Sequence, residues 1–262
     1  MSVTSMPDTQ TPTRNEVIPG DTLDDRFRLD TLQTLSAEEC RRVYEGVQSL
    51  REHWIPRDPD GRPFYSLGIS SYMDANNGRA AEYGGNAPAN NEMLRAEFGW
   101  LYERQAAVLS EFLGRPCLYH EGFALPGFHI FQHDPDPARS KTSEPHYDTQ
   151  GNGLDWSIFP GNDMHRQLSF TLSIRLPESG GGLLVWNLNK VLLNQMPQEE
   201  KAALIKANRQ PDVVPYREGE TVVHTGQFLH KIAKNKKAKD GDERITLQGH
   251  AVYTDVGWVL YW

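Results

Sequence analysis

Cysteine is scarce in this chain of 262 residues, which contains only Cys40 and Cys117. The two lie far apart and match neither a Cys-x-x-Cys pair nor a Cys/His zinc spacing, so they predict no disulfide framework and no structural zinc site. We therefore expect reduced thiols and a cytoplasmic location.

Long apolar runs and a surplus of basic residues are also missing. No stretch approaches the roughly 18 consecutive apolar residues of a membrane helix, and the N-terminal segment has no apolar signal-peptide core. Lys and Arg number 27 against 35 Asp and Glu, a net charge of −8, whereas a nucleic-acid-binding surface needs an excess of Lys and Arg. These absences disfavour membrane and nucleic-acid partners and leave a soluble protein.

The organisation of the chain is simple. Residues 1–22 are rich in Ser, Thr, Pro and Asp without periodicity, which predicts a flexible N-terminal tail. The remaining length suits one large domain. Because we find no internal repeat and no composition break, we expect residues 23–262 to form a single domain.

Two helices are predicted in the first half of the chain. The first runs over 36–54, where Ser36 and Glu39 form a capping box, and the second runs over about 91–113, where an apolar stripe has helical spacing. Residues 56–90 are rich in Gly, Asn, Asp and Pro and predict long loops around one short strand near FYSLGIS.

From Pro116 onward, short strands alternate with Gly, Pro and Asn clusters, as in sandwiches and barrels. The clearest strand, LSFTLSIRL (168–176), is strictly alternating, and the segment PESGGG after it predicts a hairpin to LLVWN (183–187). A short helix over 197–210 follows, and strands return at ETVVH and ITLQGHAVY. We expect a mainly β protein with flanking helices (α+β) and a double-stranded β-helix, or jelly-roll, core.

The segment EPHYDTQ contains the residues most suggestive of chemistry. His146 and Asp148 are two positions apart, so on an extended chain their side chains project from the same face. His230 follows much later, after the strand ETVVH. Two histidines and one carboxylate can occupy one face of an octahedral metal and leave three positions open, as in non-haem iron(II) oxygenases.

A strand downstream of His230 adds an anion-binding pattern. Arg244, Thr246, Gln248 and His250 share one face of RITLQGHAVY. An arginine fork beside a hydroxyl group can hold a carboxylate through two parallel hydrogen bonds and one more.

Together these motifs resemble the Fe(II)- and 2-oxoglutarate-dependent dioxygenase superfamily, whose pattern is His-x-Asp, a distal His, and an Arg followed two positions later by Ser or Thr. The resemblance implies a jelly-roll fold, with His146, Asp148 and His230 as iron ligands. It also implies that Arg244 and Thr246 bind the distal carboxylate of the cosubstrate 2-oxoglutarate.

One position departs from the family pattern. Many relatives place a tyrosine for the 2-oxoglutarate carboxylate on the strand before His-x-Asp, but here that strand reads GFHIFQH. His129, Phe131 or Gln132 would have to take its place, and we place Gln132 among the cofactor-binding residues. The residues proposed to line the substrate pocket are Tyr147, Trp156 (in a substrate lid), His129 and Gln248, with His224 and His250 as further candidates.

The resemblance implies an oxygenase that hydroxylates an unactivated C–H bond of a small molecule, such as an amino acid or a secondary metabolite. It would use Fe(II), 2-oxoglutarate and O2, and it would release succinate. Halogenating relatives replace the carboxylate ligand by Gly or Ala, so Asp148 favours hydroxylation or desaturation over halogenation. Two alternatives stay open: a protein or peptide hydroxylase, and a non-catalytic jelly-roll module that binds or senses a ligand.

Overall fold

The structure, a computed structural model, describes residues 29–76, 78–134, 136, 144–233 and 239–262. The N-terminal tail expected over residues 1–22 lies outside these ranges. The strands are β1 (Leu29–Gln33), β2 (Ile55–Pro56), β3 (Phe64–Leu67), β4 (Cys117–Tyr119), β5 (Gly127–Gln132), β6 (Asp163–Arg175), β7 (Gly182–Asn189), β8 (Asp212–Pro215), β9 (Glu220–His224), β10 (Phe228–Ile232), β11 (Glu243–Thr254) and β12 (Gly257–Tyr261). The α-helices are α1 (Ala37–Ser49), α2 (Ser71–Asp74), α3 (Ala80–Leu113), α4 (Lys190–Gln195) and α5 (Gln198–Ala207).

Helix α1 begins as its sequence predicts. The Ser36 hydroxyl accepts from the backbone N–H of Glu39 at 3.2 Å, and the Glu39 carboxylate accepts from the N–H of Ser36 at 2.8 Å. This capping box satisfies two N–H groups that would otherwise lack partners at the helix start. The helix then buries Cys40, Val43 and Val47.

Helix α3 begins earlier than the sequence predicts. The short strand predicted near FYSLGIS is present as β3, but the assignment of the rest of residues 56–90 to loops is wrong, because that stretch also contains α2 and the first turns of α3, including Pro88. The Gly, Asn and Pro residues there have weak helix propensity, but Tyr83 and Ala87 are buried on the inner side of α3, and tertiary packing of this kind overrides propensity. The helix bends at Phe98, whose φ of −115° is not helical.

In the described part of the chain the larger sheet has nine strands. Seven follow the order β1-β9-β6-β11-β5-β3-β2, β12 pairs with β11, and β4 pairs in parallel with β12. Strand β11 is central: it pairs with β6 on one side, and on the other with β5 along its first half and β12 along its second half. All three of these β11 pairs are antiparallel.

The smaller sheet has the order β10-β7-β8. The predicted hairpin between LSFTLSIRL and LLVWN is therefore wrong: β6 pairs with β9 and β11, whereas β7 pairs with β8 and β10. The segment PESGGG carries the chain from one sheet to the other. Sequence alternation shows that both segments are strands, but it does not encode which strand each one pairs with.

The two sheets pack face to face, and helices cover the outer face of the larger one. One cluster joins Leu183 and Val185 of the small sheet to Val222 of the large sheet. Ile245 and Leu247 point the other way, into a core that includes residues of α1 and α3. The expected jelly-roll core with flanking helices is confirmed, and the alternate residues of β11 face the space between the sheets.

Among the described residues, no helix is both long and apolar enough to span a bilayer.

Candidate metal centre

The His-x-Asp segment is held in place by its backbone. The N–H of His146 donates to the carbonyl of His230 at 2.9 Å, and the N–H of His230 donates back at 3.0 Å. Two residues on, the N–H of Asp148 donates to the carbonyl of Gly226 at 2.9 Å. The segment thus lies alongside edge strand β10, which places the His146 and Asp148 side chains on one face, next to His230.

The three side chains converge as the sequence predicts. The Nε2 atom of His230 lies 3.3 Å from one carboxylate oxygen of Asp148, and the Nε2 atom of His146 lies 3.7 Å from the other. One potential ligand atom from each residue falls within 4.8 Å of the others, and no other such group of His, Cys, Asp and Glu occurs in the described part of the chain. Asp148 and His230 are buried, but 44% of the His146 side chain is exposed, so the centre opens on that side.

Both imidazole rings are oriented by main-chain carbonyls. The Nδ1 atom of His146 is 2.8 Å from the carbonyl oxygen of Glu144, and that of His230 is 2.8 Å from the carbonyl oxygen of Phe228. A carbonyl only accepts, so Nδ1 carries a proton in each ring and Nε2 is the nitrogen that remains for a metal ion. Metal-binding histidines usually donate the hydrogen of their other ring nitrogen to a carbonyl or carboxylate in this way, which fixes the orientation of the ring.

The carboxylate at the centre is charged despite its burial. Burial by itself would raise the pKa of Asp148, but the charge and hydrogen bond of His230 hold that pKa well below its usual range. Burial likewise opposes protonation of His230, yet the charge and hydrogen bond of Asp148 give it a net raised pKa. A carboxylate that stays charged and stabilises a neighbouring positive charge is a suitable ligand for a divalent metal ion.

Gly226 forms a cradle under Asp148. Its φ of +72° lies in the left-handed region, and a Cβ atom there would lie 3.1 Å from the Asp148 Cβ and 3.2 Å from its carbonyl oxygen. Glycine meets both needs, since it adopts positive φ readily and has no Cβ. The turn between β9 and β10 therefore approaches the carboxylate ligand closely.

A row of polar residues crosses the large sheet beneath the metal ligands. Ser169 lies opposite His224 on one side and opposite His250 on the other. The His224 ring centroid is 4.6 Å from that of His230, and the Nδ1 atom of His250 is 2.9 Å from the Ser169 hydroxyl. Burial, followed by the charge of His230, lowers the pKa of His224 to about 3, so this ring is neutral.

Arg244 and Thr246 occupy the face of β11 that points between the sheets. Burial lowers the pKa of Arg244 to about 10, and its guanidinium carbon lies 4.1 Å from the centroid of the Phe131 ring. The Nε of Arg244 and the hydroxyl of Thr246 are both buried and have no hydrogen-bond partner among the described residues. Because orphaned buried donors are costly, this pair fits an anionic ligand with several acceptors, such as a carboxylate.

Gln132 does not join this pair. It lies opposite Glu243, and its side-chain amide donates to the Glu243 carboxylate at 2.7 Å. The same carboxylate accepts from Tyr44 and Gln48 of α1. Gln132 thus lies on the helix-covered side of the sheet, because a shift of one residue along a strand reverses the face.

The residues proposed for the substrate pocket separate into two groups. Tyr147 lines a cavity of about 280 Å³ next to the His-x-Asp segment, and the half-buried Gln248 lies on the same face of β11 as Thr246. Trp156 is instead buried in an aromatic cluster, and its indole N–H donates to the carbonyl of Gly151 at 2.7 Å. It therefore braces the loop after His-x-Asp and is not an open lid.

The cavity has a wall that sequence analysis missed. Its lining residues are Ser71, Tyr72, Ala75, Asn76, Tyr147, Thr149 and Gly153. The Tyr72 hydroxyl hydrogen-bonds to the Nε2 atom of His129, the inward-facing histidine of β5. No local pattern indicates this contact, because it joins a four-residue helix to a strand 57 positions away.

Comparison with known proteins agrees with this geometry. No protein-family model and no curated protein sequence matches the chain. Among solved structures, the chain is similar to an N-substituted L-amino acid dioxygenase from Burkholderia ambifaria AMMD, with a TM-score of 0.56 and 18% identity over 92% of this chain and 88% of that one. It is also similar to SnoN, a non-haem α-ketoglutarate-dependent epimerase of nogalamycin biosynthesis, with a TM-score of 0.51 and 14% identity over 85% of this chain and 76% of that one. The chain thus has the jelly-roll fold of the Fe(II)- and 2-oxoglutarate-dependent oxygenases, the superfamily that its motifs resemble.

Proposed function

We propose that this protein is an Fe(II)- and 2-oxoglutarate-dependent oxygenase that hydroxylates a small molecule. The observation that carries the proposal is a pair of complementary sites on opposed sheets. His146, Asp148 and His230 form a three-ligand group at the small sheet, and Arg244 and Thr246 present unpartnered donors on the large sheet. A 2-oxo acid with a second carboxylate has the chemistry to bridge two such sites.

Each group of residues has a separate task in this proposal. His146 and His230 would present Nε2 and Asp148 an oxygen to the metal, while Arg244 and Thr246 would fix the far carboxylate and so orient the 2-oxo acid. Iron bound there would supply activation of O2, coupled to decarboxylation of 2-oxoglutarate to succinate and carbon dioxide. The buried faces of both sheets would exclude water around the reacting groups.

The cavity next to the His-x-Asp segment supports a small substrate. Its volume of about 280 Å³ suits a molecule of amino-acid size, and its lining has no charged side chain. The solved structures similar to this chain include two described as an N-substituted L-amino acid dioxygenase. The second of these is in complex with α-ketoglutarate. We therefore propose a small amino-acid derivative or secondary metabolite as the substrate.

A spectrum recorded without oxygen tests the iron and cosubstrate sites and needs no substrate. We expect the full chain with Fe(II) and 2-oxoglutarate to develop a weak visible metal-to-ligand charge-transfer band, and Asp148→Ala to lose it. If iron-loaded wild-type protein gives no band, the proposed function is wrong.

Turnover in air tests the reaction itself. We expect slow succinate formation without substrate, faster formation with a substrate, and a product that has gained one oxygen atom. Oxygen added to a co-purifying protein would instead support a protein hydroxylase, and a complete absence of succinate would support a binding module.

A further inference from the structure

His129 has a buried nitrogen atom that no described residue satisfies. Its Nδ1 is buried without a hydrogen-bond partner. The residue lies directly opposite Thr246 in the pairing of β5 with β11, and side chains at such positions are about 5 Å apart at Cβ. The His129 imidazole thus lies on the same face of the sheet as the unpartnered Arg244 and Thr246 donors.

The surroundings of His129 keep its imidazole neutral. The aromatic rings around it have centroids 5.3 to 6.0 Å away and belong to Phe64, Tyr72, Phe131 and Trp262. Burial, with Arg244 as the next contributor, lowers the pKa of His129 to about 3. A neutral imidazole has one donor and one acceptor nitrogen, so whichever group holds one nitrogen decides the role of the other.

Tyr72 holds the other nitrogen. Its hydroxyl contacts Nε2 of His129, and burial, followed by the charge of Asp148, raises the pKa of the phenol, which therefore keeps its proton. A phenol hydroxyl can donate to Nε2 or accept from it, and the ring hydrogen lies on Nδ1 only in the tautomer in which the phenol donates. A carboxylate in this pocket requires that tautomer, because Nδ1 is then a donor.

An ion pair fixes the helix that carries Tyr72. The Arg57 guanidinium donates to both carboxylate oxygens of Asp74 at 2.7 and 2.8 Å, and the same carboxylate accepts from the N–H of Ser70 at the start of α2. Arg57 also donates to the Ser66 hydroxyl at 2.6 Å and to the carbonyl of Gly68. Helix α2 is thereby joined to β3, which pairs with β5.

We propose that His129 is a third donor to the distal carboxylate of the cosubstrate and that Tyr72, delivered by α2, is the positioning residue that turns its Nδ1–H toward that carboxylate. This inference rests on the proposed function. In many relatives a tyrosine on the strand before His-x-Asp contacts this carboxylate. Here His129 of β5 would make that contact, and Tyr72 of helix α2 would orient its ring. Tyr72 also lines the cavity proposed for the substrate, so the cosubstrate site and the substrate site would share this side chain.

Binding of two ligands by four variants tests this assignment. The ligands are 2-oxoglutarate and 2-oxopentanoate, which has a methyl group in place of the distal carboxylate, each titrated into the Fe(II) protein without oxygen. We expect His129→Phe to bind 2-oxoglutarate about tenfold to a hundredfold more weakly and Tyr72→Phe about three- to tenfold more weakly, with 2-oxopentanoate unchanged within about twofold. His129→Asn, whose amide nitrogen lies near the Nδ1 position, should recover affinity to within about threefold of wild type.

Tyr102→Phe is the matched control. The Tyr102 hydroxyl is also buried and also bonds to the chain at β5, donating to the carbonyl of Pro126 at 2.8 Å, but it lies among helix-facing residues. We expect this variant to bind both ligands like wild type. Metal affinity and thermal melting of every variant show whether it is folded.

Three results would contradict the inference in distinguishable ways. If 2-oxoglutarate and 2-oxopentanoate weaken equally in His129→Phe, the pair only supports the fold. If neither Tyr72→Phe nor His129→Phe changes the affinity for 2-oxoglutarate, the pair is not part of the carboxylate site although the proposed function stands. If wild-type protein does not bind 2-oxoglutarate at all, the proposed function fails, and this inference fails with it.

Discussion

The two sheets hold their parts of the site in different ways. Arg244 and Thr246 lie on β11, the central strand of nine, where the alternate residues Ile245 and Leu247 are fully buried under helices. His230 lies on β10, an edge strand of three, and the other two metal ligands come from a segment attached to that edge by backbone hydrogen bonds. The half proposed to bind the carboxylate is therefore built into a rigid core, whereas the half proposed to bind the metal depends on local contacts and would depend on the metal itself.

The largest expected effect is loss of the central metal ligand. We expect Asp148→Ala to weaken Fe(II) binding by about a hundredfold or more, because it removes the buried negative charge between two imidazoles. Anaerobic titration with Fe(II) measures this. Asp155→Ala, an exposed carboxylate of the following loop, is the control and should bind iron normally; a comparable loss there would show that the loop as a whole is responsible.

Replacement of Arg244 should separate the two halves of the site. We expect Arg244→Met to weaken 2-oxoglutarate binding by about a hundredfold but leave Fe(II) affinity within about twofold of wild type. The variant should also be more stable, by about 1 to 3 kcal/mol of unfolding free energy, because a partly buried arginine, whose Nε is buried without a partner among the described residues, becomes an apolar side chain.

Denaturant unfolding and 2-oxoglutarate titration measure the two effects. Arg175→Met, at an exposed position of neighbouring β6, is the control. It should change neither the unfolding free energy by about 1 to 3 kcal/mol nor the affinity for 2-oxoglutarate. A destabilised Arg244→Met protein would mean that the arginine has partners that offset its burial.

Substitution of Gly226 should have a smaller effect, and it should change the affinity for Fe(II) without changing the proposed carboxylate site. We expect Gly226→Ala to weaken Fe(II) binding about tenfold, because the added Cβ presses on Asp148. Gly61→Ala is the matched control: Gly61 has nearly the same φ, +75°, but nothing within 4 Å of an added Cβ.

Both glycine substitutions should cost about 1 kcal/mol of unfolding free energy from the left-handed backbone alone. Only the Gly226 variant should lose metal affinity. Equal metal binding by the two variants would show that the cradle does not position the carboxylate.

The smallest effect is expected at Gln132. We expect Gln132→Ala to change 2-oxoglutarate affinity by less than about twofold and to lower the unfolding free energy by about 0.5 to 1.5 kcal/mol, the usual contribution of one hydrogen bond. Calorimetric titration and thermal melting measure the two quantities. A strong loss of affinity would return Gln132 to the cosubstrate site.

Sequence analysis predicted the residues whose positions follow from strand periodicity. The spacing of His146 and Asp148, and that of Arg244 and Thr246, places each pair on one face of an extended chain, and both pairs face inward as expected. The position of His230 after a predicted strand made it a candidate third ligand, but its assignment as one rested on the resemblance to a known family, because no local rule links it to a segment more than 80 positions earlier. The single-domain assignment of residues 23–262 stays a prediction.

Pairing between distant segments could not be predicted in the same way. The error over PESGGG arose because a turn signal gives the position of a change in direction but not the sheet that the chain enters next. Tyr72 was missed for a related reason, since its importance depends on a contact with His129 that only the folded chain creates. The early start of α3 was hidden by Gly, Asn and Pro residues that packing, and not propensity, makes helical.

The distance along the chain between the His-x-Asp segment and His230 matters for the stability of the whole protein. A metal bound to Asp148 and His230 ties together positions about 80 residues apart, and a cross-link of that span can contribute about 4 to 5 kcal/mol by limiting the unfolded chain. The two cysteines are free and form no such link. In this fold the metal would take over the role of a disulfide, so chelation should lower the melting temperature as well as stop turnover.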